Sequence, residues 1–186
     1  MTAKYIFILV CLGFAIASRP FCGCKKSWFW LVAALFFTAA ADYFLVIRDM
    51  HLPGIAVFCF AHVCYFMRVT EINKAKVRIF CALAFIVLVL FSQELLFVLA
   101  GLYATLFGIN IWQNIKSNAL PTINKRITII GLLLFMLCDI NVLLLNLPRH
   151  FDVPRFPLAF ALIWVFYLPA QGLLAISGIA FPRAKE

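Results

Sequence analysis

Two aspartates, Asp42 and Asp139, stand inside long apolar stretches. A carboxylate near the centre of a membrane helix costs about 2.5–3.5 kcal/mol on insertion scales, so a chain that carries two needs a use or a partner for each. Two carboxyl groups in one region can divide acid/base work: one delivers a proton, and the other, ionised, stabilises a cation or activates water. Other groups able to relay protons or hold a polar ligand lie in the same kind of surroundings: His62, Tyr65, Tyr103, Tyr167, Gln171 and Thr38. Each also has a plainer reading. Alone, His62 serves interhelical hydrogen bonding as readily as catalysis. Buried tyrosines are more often structural than chemical, and Asp42, about 7–8 Å below a helix end, is shallow enough to snorkel outward. Asp139 lies deeper and is harder to explain away.

These groups must be positioned by helices in lipid. The chain has 186 residues, 66% apolar and only 12% charged, with a mean hydropathy of +1.07. A soluble domain carries about 25% charged residues, so this composition is that of an integral membrane protein. Seven apolar runs follow one another: Tyr5–Ser18, Ser27–Ile47, Leu52–Met67, Arg78–Gln93, Leu95–Ile115, Ile127–Leu147 and Phe156–Ala180. At about 20 residues per crossing the long runs span a bilayer, and the shorter ones do so with snorkelling flanks. The expectation is an all-α, polytopic bundle of seven, or eight, helices forming one transmembrane domain over residues 1–186. Lys4, the 13-residue apolar stretch after it and the small residues Ala15 and Ala17 also fit a cleavable signal peptide.

Loop charge sets the expected orientation. On one side lie Lys4, Arg48, Arg149 and Arg155; the other twelve of the sixteen basic residues, among them Arg19, Lys25, Lys26, Arg68, Lys116 and Arg126, fall on the opposite side. The positive-inside rule then places the N-terminus outside and the C-terminus in the cytoplasm. It also argues against cleavage after Ala17, which would export the Arg19–Lys26 cluster. In this frame Asp42 lies five residues from the outer end of its run and Asp139 eight from that of its own. His62 and Tyr103 come about nine or ten residues in, so these groups occupy one slab of the outer half. Tyr167 is deeper, with Gln171 one turn further on the same face and Pro169 between them. Glu94, at a helix–helix turn, reads as solvated.

The net charge of +9 does not point to nucleic acid, because the basic residues lie in short loops between apolar runs. Five of the seven cysteines are inside those runs, where a thiol acts as a small hydrophobe. Cys22 and Cys24 form a lone C-x-C beside Lys25 and Lys26, a weak metal or disulfide signal.

The motifs form an ordered set. GIAVFCFAHVCY places Gly54, Phe58, His62 and Tyr65 on one stripe, and GLLLFMLCD repeats the spacing with Gly131, Phe135 and Asp139. Together with TAAAD (Thr38, Asp42), Tyr103 and YLPAQ (Tyr167, Gln171), this order over residues ~35–180 resembles the YhhN family of polytopic, lysoplasmalogenase-like membrane proteins. Two positions depart from the family's usual pattern: Ala41 stands before Asp42 where glycine is usual, and Cys138 before Asp139 where serine is usual. Eight helices are commonly drawn for that family. The resemblance implies hydrolysis of the vinyl ether bond of a lysoplasmalogen to a fatty aldehyde and a glycerophospho-base, with Asp42 and Asp139 as the catalytic pair and no cofactor or metal. His62, Tyr65, Tyr103, Tyr167, Gln171 and Thr38 would relay protons or orient the substrate. It implies a lysophospholipid substrate in contact with membrane lipid, no nucleic acid and no protein partner, in a plasma membrane if bacterial or the endoplasmic reticulum membrane if eukaryotic. Two other classes use the same residue types: a proton-coupled transporter or lipid carrier, and an intramembrane metallohydrolase, which needs more ligands than one membrane histidine supplies.

Overall fold

The computed structural model describes residues 2–70, 95–149, 152, 154 and 156–180. Among these residues there are six α-helices and no β-strand. The helices are α1 (Thr2–Ala17), α2 (Lys25–Asp42), α3 (His51–Val69), α4 (Leu95–Lys116), α5 (Thr122–Asn146) and α6 (Pro157–Ile176). The fourth apolar run, Arg78–Gln93, lies outside the described residues, as do Glu94, His150 and Arg155. Among the described residues, four segments are long and apolar enough to cross a membrane: Lys25–Ile47, His51–Val69, Thr122–Asn146 and Pro157–Ile176.

The bundle is inside-out relative to a soluble protein. Large apolar side chains such as Val10, Phe36, Trp112, Leu143, Leu158 and Val165 face outward, whereas Asp42, His62, Asn110 and Gln171 are buried. That distribution is stable in lipid, which satisfies apolar surface and leaves polar groups to find one another inside. The same pattern identifies the chain as a membrane protein.

The two glycine stripes explain how the helices close. A Cβ on Gly131 would come within 3.0 Å of Leu174 Cγ and 3.3 Å of the Ala170 carbonyl, so a side chain there would have to push α6 back by a few tenths of an ångström. Gly54 admits Leu45 to α3 in the same way, its Cβ position lying 2.5 Å from Leu45 Cγ. The aromatic members of the stripes then meet. Phe58 and Phe135 have ring centroids 5.7 Å apart, which sets α3 against α5.

α3 and α4 run parallel. His62 packs against Phe107 of α4, and seven residues further along α3 the Val69 carbonyl accepts from Ser117 Oγ at 2.8 Å, just past the end of α4. An alternating seven-run scheme requires this course of its third and fifth runs. α5 and α6 are antiparallel, with Phe135 near Tyr167 at one level and Asn124 bonded to the Ser177 carbonyl at another.

A polar clamp ties the ends of four helices on one face. Arg68 counts as a loop charge in the sequence, but it is buried. Its Nε donates to Ser27 Oγ at 3.0 Å, and its guanidinium nitrogens reach Ser177 Oγ at 2.7 Å and the Ser177 carbonyl at 2.6 Å. Asn124 donates to the Ser177 and Ile179 carbonyls at 2.9 and 2.6 Å. This clamp explains two shifted boundaries. α5 begins at Thr122 rather than near 127 because Asn124 and Thr128 belong to the packed face, and α6 ends at Ile176 because Ser177 caps it, its Oγ donating to the Leu174 carbonyl at 2.6 Å. α2 also changes character at its end. Asp42 is its last residue, and Tyr43–Ile47 wind as a π-turn, a local widening that recurs at functional sites.

Candidate active site

Asp42 is fully buried at the junction of α2 and the π-turn, pointing between α1 and α6. It does not snorkel. Its Oδ1 is 3.3 Å from Lys4 Nζ of α1, and its Oδ2 accepts a hydrogen bond from the Tyr167 hydroxyl of α6. Lys4 also stands 4.0 Å above the Tyr167 ring, so the ammonium touches the carboxylate and the aromatic face together. Lys4 was expected as a flanking charge; its side chain is only 12% exposed. α1 therefore belongs to the site, and its own face (Ile8, Cys11, Ala15) is core.

Asp139, on α5, is partly buried and accepts a hydrogen bond from the Tyr103 hydroxyl of α4. Among the described residues no cation bonds to it directly. The structure thus pairs each aspartate with one of the tyrosines singled out in the sequence. An aromatic wall joins the two halves: Tyr103 packs on Phe58 at 5.8 Å, Phe58 on Phe135 at 5.7 Å, and Phe135 on Tyr167 at 6.2 Å.

His62 is buried against this wall, its ring 4.9 Å from Tyr103 and 4.1 Å from Phe107. Nδ1 lies 3.5 Å from the side-chain amide nitrogen of Asn110. Asn114 Nδ2 donates to Asn110 Oδ1 at 3.0 Å and holds that amide in place. His62 Nε2, the Tyr65 hydroxyl and both polar atoms of the Gln171 side chain are buried with no protein hydrogen-bond partner among the described residues. Groups of this kind carry the chemistry of water or a polar ligand. Thr38 is committed elsewhere, its hydroxyl donating to the Ala34 carbonyl of its own helix at 2.9 Å. The Tyr65 ring lies 6.3 Å from that of His62.

Lys4, Asn110 and Asn114 are the members of this site that sequence reasoning missed. The asparagines had a signal: Tyr103, Phe107, Asn110 and Asn114 recur at four, three and four residues, one face of a helix. Lys4 and Asp42 had one too, since opposite charges at matching depth on neighbouring antiparallel helices are candidates for a pair. Among the described residues, no three of the histidine, cysteine, aspartate and glutamate side chains lie close enough to hold a metal ion.

The family model described as YhhN matches residues 1–178. No curated protein matches the chain, and neither does any solved structure.

Proposed function

The chain belongs to the YhhN family, and on that premise we propose that it is a membrane-embedded hydrolase that cleaves the vinyl ether bond of lysoplasmalogens. The observation that carries this reading is the asymmetry of the carboxyl pair. Asp42 receives an ammonium and a phenol hydroxyl, two donors that suit an ionised, acceptor-only carboxylate. Asp139 receives one phenol hydroxyl, which leaves its second oxygen able to carry a proton. Acid and anion are thereby divided between two groups, as in glycoside hydrolysis.

The reaction then runs as follows. Asp139 protonates the β-carbon of the vinyl ether, and the oxocarbenium ion that forms is stabilised by the Asp42 carboxylate. Water adds to the cationic carbon and gives its proton to Asp42. The hemiacetal collapses: its hydroxyl proton returns to Asp139, its C–O bond to glycerol breaks, and the departing oxygen takes the proton from Asp42. Both carboxyl groups end as they began, and the products are a fatty aldehyde and a glycerophospho-base. Tyr103 and Tyr167 hold the carboxyl groups in position, while His62 and Gln171 face the water or the glycerol hydroxyl. Thr38, bonded within its own helix, has no part in this scheme, while Tyr65, whose hydroxyl has no partner among the described residues, holds water further along the same interior.

We place this chemistry in the non-cytoplasmic half of the bilayer, with head group and water entering from the side of Arg149, His150 and Arg155. The loop charges support that sidedness.

The test is aldehyde release by the purified protein from a lysoplasmalogen, set against the saturated ether lysolipid of the same chain length. Release from the vinyl ether alone is expected, and unchanged after prolonged chelator treatment. No release from either lipid contradicts the proposal. Loss to chelator with recovery in zinc transfers the site to metal-assisted hydrolysis.

A further inference from the structure

We infer that the crevice between α1 and α2 is the seat of the substrate's hydrocarbon chain; this rests on the lipid-hydrolase reading above and specifies where its substrate lies. A groove of about 240 Å³ runs there, walled by Tyr5, Leu9 and Leu12 of α1 and floored by Ala39 and Ala40 of α2, with Phe36 at its far end. At the two alanines the α2 side of the groove carries nothing beyond Cβ.

Its direction matches the chemistry. At one end Tyr5 faces Tyr43 of the π-turn, their rings 6.1 Å apart, and these two residues follow Lys4 and Asp42 directly in the chain. The Lys4–Asp42 ion pair therefore bridges the same two helices at that end. From there the groove follows α1 from Tyr5 to Leu12 and α2 and its π-turn from Tyr43 back to Phe36, a rise of about seven residue steps on each, or about 10 Å. A vinyl ether stands where the polar head of its lipid meets the tail. With that bond at the carboxylate end, the first part of the chain lies along the groove, beyond the Lys4–Asp42 level.

The size and lining select the ligand class. The volume is below the roughly 300–1,000 Å³ of sites that enclose a whole drug-sized ligand, and the lining is almost entirely hydrocarbon and aromatic. It suits one unbranched chain open to lipid along its length. A phospholipid with two chains would have to leave the second outside, against α1 or α2, where the exposed Leu9 and Phe36 already form the groove's rims. The groove thus favours a single-chain amphiphile over a diacyl lipid.

The experiment uses the whole protein in lipid nanodiscs with two photoreactive probes: a saturated ether lysolipid and a diacyl phospholipid, each carrying a diazirine near the start of the chain. Labelled residues are mapped by mass spectrometry. The lysolipid probe should concentrate its label on Leu9, Leu12 and Phe36, and the diacyl probe should label the outer faces of all helices without that preference. Ala40→Trp should reduce the lysolipid label there severalfold and raise KM for the vinyl ether substrate, while Val165→Trp, a bulky change on the exposed face of α6, should do neither. Lysolipid label spread like that of the diacyl probe, or unchanged by Ala40→Trp in a protein that stays monodisperse, overturns the inference. Focused labelling without aldehyde release would retain the groove and reject the hydrolase.

Discussion

At the scale of single residues, the proposed hydrolysis depends on two carboxyl groups that differ in their partners. Asp42→Asn keeps the shape but removes the negative charge, and Asp139→Asn removes the proton to be delivered. Each should lower kcat by about 10²–10⁴-fold, the usual share of a positioned acid or base, with the protein still inserting and eluting as one species. Near-normal turnover in either variant would remove that residue from the pair. Lys4 gives a sharper test, since no catalytic motif includes it. Lys4→Met leaves the Asp42 charge buried without its cation, which should cost about 3–5 kcal/mol and be read as a lower thermal midpoint together with reduced turnover. Lys4→Arg should restore most of both, and a Lys4→Met protein with unchanged midpoint and rate would show that the pair is incidental. The aspartates, tyrosines and histidine were legible in the sequence because a polar group in an apolar run is conspicuous. Lys4 was legible only as a possible partner of Asp42 by depth, because a basic residue at the edge of such a run looks the same whether it points to solvent or folds inward.

At the scale of elements, the helices were legible from length and hydropathy and their ends were not. The six described helices coincide with six of the seven predicted runs, but α5 starts five residues early and α2 finishes in a π-turn. Both deviations come from tertiary packing: one from Asn124 and Thr128 folding against the end of α6, the other from the backbone after Asp42. The close approach promised by Gly54 and Gly131 is present in the packing of α3 against Leu45 and of α5 against α6. Arg68 shows the limit of a charge count, since it serves as a loop charge for topology and as a buried fastener in the fold. Arg68→Met should remove its bonds to Ser27 and Ser177 and destabilise the bundle by about 2–3 kcal/mol. Thermal unfolding in detergent measures this, and activity below the midpoint should persist because Arg68 lies at the opposite end of α3 from the carboxyl level. Loss of activity without loss of stability would place Arg68 in the chemistry instead.

At the scale of the whole molecule, the sequence gives a membrane protein with its polar groups gathered inside, and the arrangement bears this out. What no single sequence could show is how the groups pair across helices, because Lys4 with Asp42 and Tyr103 with Asp139 are 38 and 36 residues apart. Sidedness rests on charge alone. In a background cleared of reactive native thiols, an impermeant thiol reagent applied to intact cells should reach Asn146→Cys and not Ser117→Cys; the reverse pattern would invert the orientation and the entry route but leave the chemistry in place. The central claim, proton delivery to carbon followed by water capture, is tested most directly by turnover of a lysoplasmalogen in deuterium oxide, with the aldehyde reduced as it forms and both products weighed by mass spectrometry. The account predicts one deuterium on the carbon beside the former carbonyl and, in oxygen-18 water, no heavy oxygen in the glycerophospho-base. Aldehyde without carbon-bound deuterium, or heavy oxygen in the glycerol product, would contradict it.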